Sequence, residues 1–544
     1  MKEMKEMTTL RSNKSPHKAA PRRRDKPRIL DELIRSNSPE FSAFYIEEPK
    51  LVFGGGALSV DPKAGLENHG PFAWEASITK TVQLGLIGTG EGTQAFINFL
   101  QKCQSRIPAG FNTRHKPLDP HCFPDFPGCS PDHTFRASFT ADNPSHRKTI
   151  HEQLFEHAAA EHDEQKRIEA VVKLVVDQLS ALADLEPAPD VVVLVMPPSV
   201  EAACASIGAV FARQKVRLSP QESFQRALQR EAARTGQGIL NLDFDTADET
   251  ELISRVGFFN IHHALKAHSM RTGITTQVVW ESTLRDQNPA SVAWNLFTAL
   301  YYKAGNNPWR LQSLPDNTCY VGISFFKESP RAGSDIQTSL AQIFGAGEGI
   351  VLKGEKAIFN RERDRKPHLS EEGAESLLVR AIQSYSLQHN SPPKRVVVHK
   401  TSRYWPEENR GMRKALGNIY HYDFLALETR ETRFMRVGKR PPLRGTVIQL
   451  GRGNYLVYCN GYIPYLRSYP GKRIPRPLEV IEHYGDSPAV TVCQEILALT
   501  KLNWNTCAFG SGIPITIRFA RDVGKILSEL PEDVQPETKY KFYM

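Results

Sequence analysis

The sequence predicts an α/β protein built as two domains joined near residue 310. Apolar runs such as VVVLVMPPS and RVVVHK read as strands buried on both faces, as in parallel sheets. Helical patterns alternate with those strands along most of the chain, which is the signature of layered α/β architecture. With 544 residues, 40% hydrophobic and 24% charged, the chain carries enough apolar surface for more than one core.

Charge adds little at the level of the whole chain. The net charge is +9, from 69 Lys/Arg against 60 Asp/Glu. Residues 1–27 alone hold nine Lys/Arg and three Asp/Glu, so the remaining body is close to neutral. Residues 1–28 are polar, basic and aperiodic, and are expected to form a disordered tail. There is no apolar run of eighteen residues and no signal-type h-region, so no membrane span is expected and the location is expected to be cytoplasmic. Eight scattered cysteines fit reduced thiols. His121, Cys122, Cys129 and His133 cluster, but their spacing matches no common zinc pattern and prolines interrupt it, so the stretch reads as a loop.

From residue 29 to 120 the text turns to short strands, KLVFGGG and then TVQLGLIGTGEG leading into the helical AFINFLQKCQ. Gly85, Gly88, Gly90 and Gly92 crowd that turn without the spacing of a dinucleotide fingerprint. Residues 151–185 read as one long amphipathic helix, and VVVLVMPPS as the strand after it. Helices at 200–213 and 219–234, a GILNLDF strand, a helix over 254–270, the strand TTQVVWE and a helix over 290–303 complete the first domain. The second runs through NTCYVGISFFKE, GIVLKG, a helix at 370–388, RVVVHK, a helix near 407–417, the strand-rich GTVIQLG and NYLVYCNGYIPYL, and a closing helix at 490–501.

The most informative stretch is residues 258–281. His262 and Lys266 are four apart, so a helix points both from one face, beside Phe258, Ile261 and Leu265. Gly273 should stop that helix and bring Gln277 to the start of the next strand. A cation, a ring and an amide at a helix-to-strand corner suit a terminal phosphate, which takes charge-assisted bonds plus neutral donors. Leu296, Leu300 and Lys303 then fall on one helical stripe, which sets a lysine on the core side. Such a lysine is costly without an anion, although taken singly each of these residues also has an ordinary structural reading.

The order His262, Lys266, Gln277, Lys303, with GITTQ and KAGNNPW beside them, resembles the guide-binding pocket of Argonaute proteins. In that family a Tyr or His, a Lys, a Gln and a second Lys hold the 5′-phosphate of the guide strand. The segments CYVGISFF, RVVVHKTSRYWPEE, NGYIPYLRSYPGKRIPRPLEV and LTKLNWNTCAFGSGIPITIRFA look like successive pieces of a PIWI domain. The resemblance covers roughly residues 185–544. It implies a Rossmann-like MID lobe followed by an RNase H-like PIWI domain, divided as a 29–185 extension of the MID lobe, MID at 186–310 and PIWI at 311–544. It also implies Mg²⁺ as a companion of the guide 5′-phosphate.

The departures from the family shape the expected function. A slicing PIWI domain holds metal ions on carboxylates, because phosphodiester cleavage needs an activated water and a stabilised leaving oxygen. At the matching positions stand Ser324, Thr401 and Arg521, or Arg518 by another placement, so no slicing is expected. The 180 or so residues ahead of the MID-like text are too few for the N and PAZ domains of full-size members, so the chain resembles a short prokaryotic Argonaute. That resemblance implies a small guide RNA, a single-stranded target from invading DNA, and an APAZ-containing effector partner of TIR, sirtuin-like or nuclease type, with no membrane role. His263, Arg403, Arg467, Lys472 and Arg473 are the candidates for guide or target contacts, and either His262 or His263 for stacking on the first guide base. Two other readings stay open: a nuclease using Glu407, Glu408 or Asp522, and a nucleotide-binding α/β enzyme using the glycines at 85–92.

Overall fold

The computed structural model describes residues 41–544 apart from 76–79, 112–117, 205–259, 286–287, 316, 328–336, 345–348, 361–362, 365, 439–440, 451–453, 472–473 and 532–533. The basic tail, the helix predicted at 219–234, the GILNLDF strand, Phe258, Lys472 and Arg473 therefore lie outside the described residues. Among those described, no helix is long and apolar enough to cross a membrane.

The chain opens with β1 (Phe41–Tyr45), β2 (Leu51–Val52), β3 (Leu58–Ser59) and α1 (Pro62–His69), which Asp61 caps by accepting from the Lys63 N–H at 2.9 Å. A parallel sheet follows, made of β4 (Lys80–Gly88), β5 (Ala137–Thr140), β6 (Arg147–Thr149), β7 (Val191–Met196) and β8 (Thr275–Trp280). Its order is β5-β4-β7-β8, with β6 pairing the far end of β4. Every residue of β7 is buried because helices cover both faces, which is why its sequence is an unbroken apolar run. On one face lie α2 (Gly90–Lys102) and α8 (Pro289–Lys303), and on the other α4 (Glu164–Ala183) and α6 (Ile261–Ser269). The shorter α3 (Glu152–Ala159), α5 (Pro198–Cys204) and α7 (Glu281–Leu284) fill the connections.

One sequence expectation changes here. The single helix expected at 151–185 is split into α3 and α4, because the Asp163 carboxylate turns back to accept from the Lys166 N–H at 2.9 Å and starts a new helix. The boundary drawn at residue 185 also runs through one sheet, since β4 and β7 pair directly across it.

The second lobe begins at β9 (Arg310–Leu311), which pairs with β2. It continues with β10 (Thr318–Lys327), β11 (Gln337–Phe344), β12 (Ile350–Lys356), the small hairpin β13 (Ile358–Phe359) and β14 (Pro367–His368), and α9 (Glu371–His389). After these come β15 (Arg395–Lys400), α10 (Pro406–Leu416), β16 (His421–Thr429), β17 (Thr446–Leu450), β18 (Asn454–Val457), β19 (Leu478–Gly485), α11 (Ala489–Leu499) and α12 (Ile515–Leu527). Nine strands form one mixed sheet in the order β1-β17-β18-β19-β16-β15-β10-β11-β12. β10, β15 and β16 are mutually parallel, and β1 returns from the start of the chain to line the edge at β17.

Alternation along the central strands decides what faces what. Val321, Ile323, Val396 and Val398 point to α9 and α10, whereas Gly322 and Phe326 lie against α12. A side chain at Gly322 would collide with the Thr516 carbonyl, so glycine is what lets α12 lie directly on β10. β16 escaped the sequence reading because Asp423 interrupts its apolar run. That carboxylate is buried, bound to Arg395 at 2.5 and 2.9 Å, to His483 at 2.7 Å and to the Ser487 hydroxyl at 2.7 Å.

Candidate functional site

The corner predicted to hold a phosphate is built from α6, β8 and α8. Asn260 starts α6 by accepting from the His262 N–H at 2.9 Å and the His263 N–H at 3.4 Å. Gly273 adopts φ +68°, which ends the helical run and feeds the chain into β8. α8 is capped by Asn288, begins on Pro289 and ends at Lys303.

Three of the four predicted side chains converge at the β8 backbone. Lys266 donates to the Thr276 carbonyl and, at 3.3 Å, to the Thr276 hydroxyl. Lys303 donates to Gln277 Oε1 at 2.5 Å, and Gln277 Nε2 donates to the Val278 carbonyl at 3.0 Å. Both lysines are only 1% exposed, and among the described residues neither is ion-paired with a carboxylate. His262 stands one turn before Lys266, partly exposed at the mouth.

Burial pushes the Lys266 ammonium down to about 7, partly offset by its bond with Lys303. Burial and the neighbouring Lys266 charge lower Lys303 further. Burial, then the two lysines and His263, hold the His262 imidazole well below its ordinary range. Desolvated cations repelling one another, with no carboxylate paired to either lysine among the described residues, form a site that an anion would relieve.

The sign of the resulting pH dependence is fixed. Because the folded pKa of Lys266 is depressed, its stabilising contribution is present above the unfolded value near 10.5 and is lost as pH falls through about 7. A bound phosphate reverses this by raising the pKa, so binding takes up protons. Affinity for a 5′-phosphate should fall as pH rises above about 7, where the phosphate is already a dianion. Calorimetry in buffers of differing ionisation enthalpy reads that uptake directly, and an affinity flat from neutral to alkaline pH would exclude the assignment.

The donor set does not fit a protein-held Mg²⁺. Two ammoniums and an imidazole line the pocket, and Gln277 Oε1 already accepts from Lys303, whereas Mg²⁺ demands anionic or free oxygen ligands.

The sequence reading missed what lies behind this pocket. α6 and the turn that follows it pack through Ala267 and Met270 on Ala520 and Val523 of α12, in a cluster with Phe326, Phe542 and Tyr543. His263 is turned toward this helix. Burial first, then Lys525, bring its imidazole down to about 4 against the opposing pull of Asp522. Its ring lies 6.0 Å from that of His262 and nearly perpendicular to it. The Asn260 N–H donates to Glu529 just beyond α12, at 3.4 Å. The apolar spacing of residues 515–527 could have revealed this helix, but nothing local could have named its partner.

Ser324, Thr401 and Arg521 all belong to the second lobe. Ser324 is buried on the α12 side of β10, two residues on from Gly322. Thr401 follows β15, two residues on from His399, whose Nδ1 lies 2.8 Å from Thr516 Oγ1 on α12. Ile323 and Lys400 are paired partners, so the two hydroxyl residues leave neighbouring strands side by side. Arg521 extends α12 next to the buried Ala520.

The carboxylates of the nuclease reading do not gather. Glu408 belongs to α10, on the opposite face of the sheet from Asp522. It is wholly buried and bound to Lys400 at 2.5 Å, His368 at 2.9 Å, and the Leu369 and Trp405 N–H groups at 2.7 and 2.9 Å. Burial alone would raise its pKa, but those bonds hold it below the usual carboxylate range. Glu407 pairs outside with Arg363 at 3.3 Å, and Asp522 with Lys525 at 3.5 Å.

The remaining candidates divide. Arg403 is 57% exposed and pairs with Glu482 at 3.1 Å, and Arg467 is exposed in a turn. At the glycine-rich turn, Thr89 caps α2 through the Gly92 N–H at 2.9 Å and itself donates to Glu281 at 3.2 Å. An internal carboxylate thus occupies the helix N-terminus that a nucleotide phosphate would need. Cys129 is buried, His133 contacts Ser130 at 2.5 Å, and among the described residues no group of three His, Cys, Asp or Glu is placed to hold a metal.

No family model matches the chain. It is 21% identical over 290 residues, 53% of its length, to the protein argonaute of Aquifex aeolicus (strain VF5), and that match spans 38% of the latter. Clostridium butyricum Argonaute, solved with a guide DNA and a 19-mer target DNA, matches with a TM-score of 0.57 at 13% identity. This match covers 91% of this chain and 54% of that one. Marinitoga piezophila Argonaute, solved with a 5′ OH guide RNA, matches with a TM-score of 0.52 at 12% identity, covering 92% and 59%. Drosophila Piwi matches with a TM-score of 0.51 at 11% identity, covering 92% and 56%. The chain thus spans little more than half the length of the solved structures and a smaller part of the curated relative. The parallel-sheet lobe and the nine-stranded lobe have the MID and RNase H-like PIWI fold.

Proposed function

We propose that this Argonaute-family chain grips the 5′-phosphate of a short guide strand with Lys266, Gln277 and Lys303, His262 standing at the mouth. The observation that carries the reading is the pair of buried lysines meeting at β8 with no carboxylate paired to either among the described residues. Relatives solved with guide and target strands support a nucleic-acid partner of this kind.

The guide is a small RNA, and base pairing supplies the recognition of its target, single-stranded DNA of plasmid or phage origin. The protein works in the bacterial or archaeal cytoplasm as a short prokaryotic Argonaute. Its second lobe holds the paired strands without cutting them, because Ser324, Thr401 and Arg521 offer no anionic oxygen to Mg²⁺. The output then belongs to an APAZ-containing effector with a TIR, sirtuin-like or nuclease domain, bound as a heterodimer.

Purification from its own host followed by sequencing of the bound nucleic acid tests the reading. Short strands with a 5′-phosphate are expected. Their absence would overturn it, and a complementary DNA cleaved by the loaded protein in Mg²⁺ or Mn²⁺ would overturn its non-slicing part.

A further inference from the structure

We propose that Lys80 and Asn306, backed by residues 46–74, are positioning residues for Lys303, and that this hold sets how strongly the pocket prefers a phosphate at the guide's 5′ end. The inference rests on the guide-binding reading above and deepens it: both residues act on the phosphate only through the lysine.

The need for such a hold comes from where Lys303 stands. It is the last residue of α8, and helix ends fray because their final carbonyls have no partner within the helix. A long, rotamer-rich stem on a fraying turn would not keep its ammonium at Gln277 Oε1 in a buried corner. Here the helix end is closed. Gly305 takes φ +86°, its N–H donates to the Tyr302 carbonyl at 2.9 Å, and the Asn306 N–H donates to the Tyr301 carbonyl at 3.2 Å. The Ala304 N–H donates to the Leu300 carbonyl at 3.0 Å, and the Thr275 hydroxyl of β8 donates to the Lys303 carbonyl at 3.3 Å.

That turn is pinned from outside by one cation. Lys80 Nζ donates to Asn306 Oδ1 at 2.9 Å and to the Ala73 carbonyl at 2.8 Å. Among the described residues no carboxylate pairs with Lys80, so its charge is directed at two neutral acceptors, which makes both bonds stronger than neutral ones. Lys80 opens β4, an interior strand of the first sheet, and so ties the turn after Lys303 to the frame of that lobe.

Residues 46–74 hold the same turn from its other side. The Phe72 and Ala73 N–H groups donate to the Pro308 and Asn307 carbonyls at 2.8 and 3.1 Å. β2 pairs with β9, and the Gln312 N–H donates to the Lys50 carbonyl at 3.1 Å. This strap is itself fastened to the second lobe, where Glu48 accepts from Arg444 at 3.0 Å and from Lys501 at 2.9 Å, two cations only 2% exposed. Loss of the Lys80–Asn306 bond removes one tether of the turn and lets the Lys303 stem swing off the phosphate. A strand without that phosphate does not feel the change.

The test titrates the full chain with one short RNA carrying either a 5′-phosphate or a 5′-hydroxyl, with Lys303→Ala as the reference. Asn306→Ala and Lys80→Met should each lower affinity for the phosphorylated strand about five- to tenfold and leave the hydroxyl strand at its wild-type affinity. The double variant should lose no more than Lys80→Met alone, because both substitutions act through one bond. Asn306→Asp, which still accepts from Lys80, should keep the wild-type preference. A general loss of stability lowers both affinities together, so their ratio separates positioning from structural support. A preference that survives in both Asn306→Ala and Lys80→Met while Lys303→Ala loses it would overturn the inference and leave the pocket reading standing. So would a double variant whose loss is the product of the single losses. If Lys80→Met fails to fold, Asn306→Ala and Asn306→Asp decide by the same ratio. A wild-type protein without preference for the phosphorylated strand, or a Lys303→Ala variant that keeps it, would overturn the pocket reading and this inference with it.

Discussion

Replacing Lys266 or Lys303 with alanine is expected to weaken binding of a 5′-phosphorylated guide by roughly ten- to a hundredfold. Each substitution removes charge-assisted bonds worth about 1.5–3 kcal/mol. Affinity for the same guide with a 5′-hydroxyl should hardly move, because its remaining phosphates lie elsewhere. The two lysines share one desolvated corner, so the double variant should lose less than the sum of the single losses. Both single variants should fold well. In the free protein each removes a buried cation with no carboxylate paired to it among the described residues, and relief of that repulsion offsets the lost packing. A titration in which the preference for 5′-phosphate over 5′-hydroxyl survives both substitutions would place the guide end somewhere else.

Glu408→Gln is expected to produce the largest loss of stability. Glu408, Lys400 and His368 are all fully buried, and the substitution strips the Lys400 ammonium of the carboxylate bonded to it. Breaking a buried pair from one side costs about 3–5 kcal/mol. For a lobe of this size that corresponds to a fall of roughly 6–20 °C in melting temperature. Burial lowers the pKa of Lys400 whereas Glu408 raises it, so the lysine should release its proton more readily in the variant. Replacing Lys400 with Met and Glu408 with Leu together should recover much of the loss, because neither charge is then stranded. A single variant melting within about 2 °C of wild type would show that the cluster holds little of the lobe's stability.

Legibility differed sharply between elements. β7 and β15 were readable because a strand covered on both faces has no polar residues to confuse its pattern. The Lys303 stripe was readable because a helical period puts a residue on the core side wherever the helix ends up packing. β16 was not, since Asp423 looks like a loop residue until Arg395, His483 and Ser487 arrive from distant parts of the chain to satisfy it. That the strands on either side of residue 185 share one sheet was hidden for a related reason. A parallel sheet is assembled from strands far apart in sequence, and no local pattern says which will be neighbours.

The same division runs through the functional residues. Local sequence determined the helical spacing of His262 and Lys266 and the stop at Gly273, because these depend only on residue type and period. Only the tertiary structure decided that Lys266 and Lys303 meet at Thr276 and Gln277 with no carboxylate paired to them among the described residues, that Glu408 and Asp522 lie on opposite faces of a sheet, and that α12 joins the lysine corner to the second lobe. Charge pairing, burial and convergence are relations between segments hundreds of residues apart, and they come into being only when the chain closes on itself.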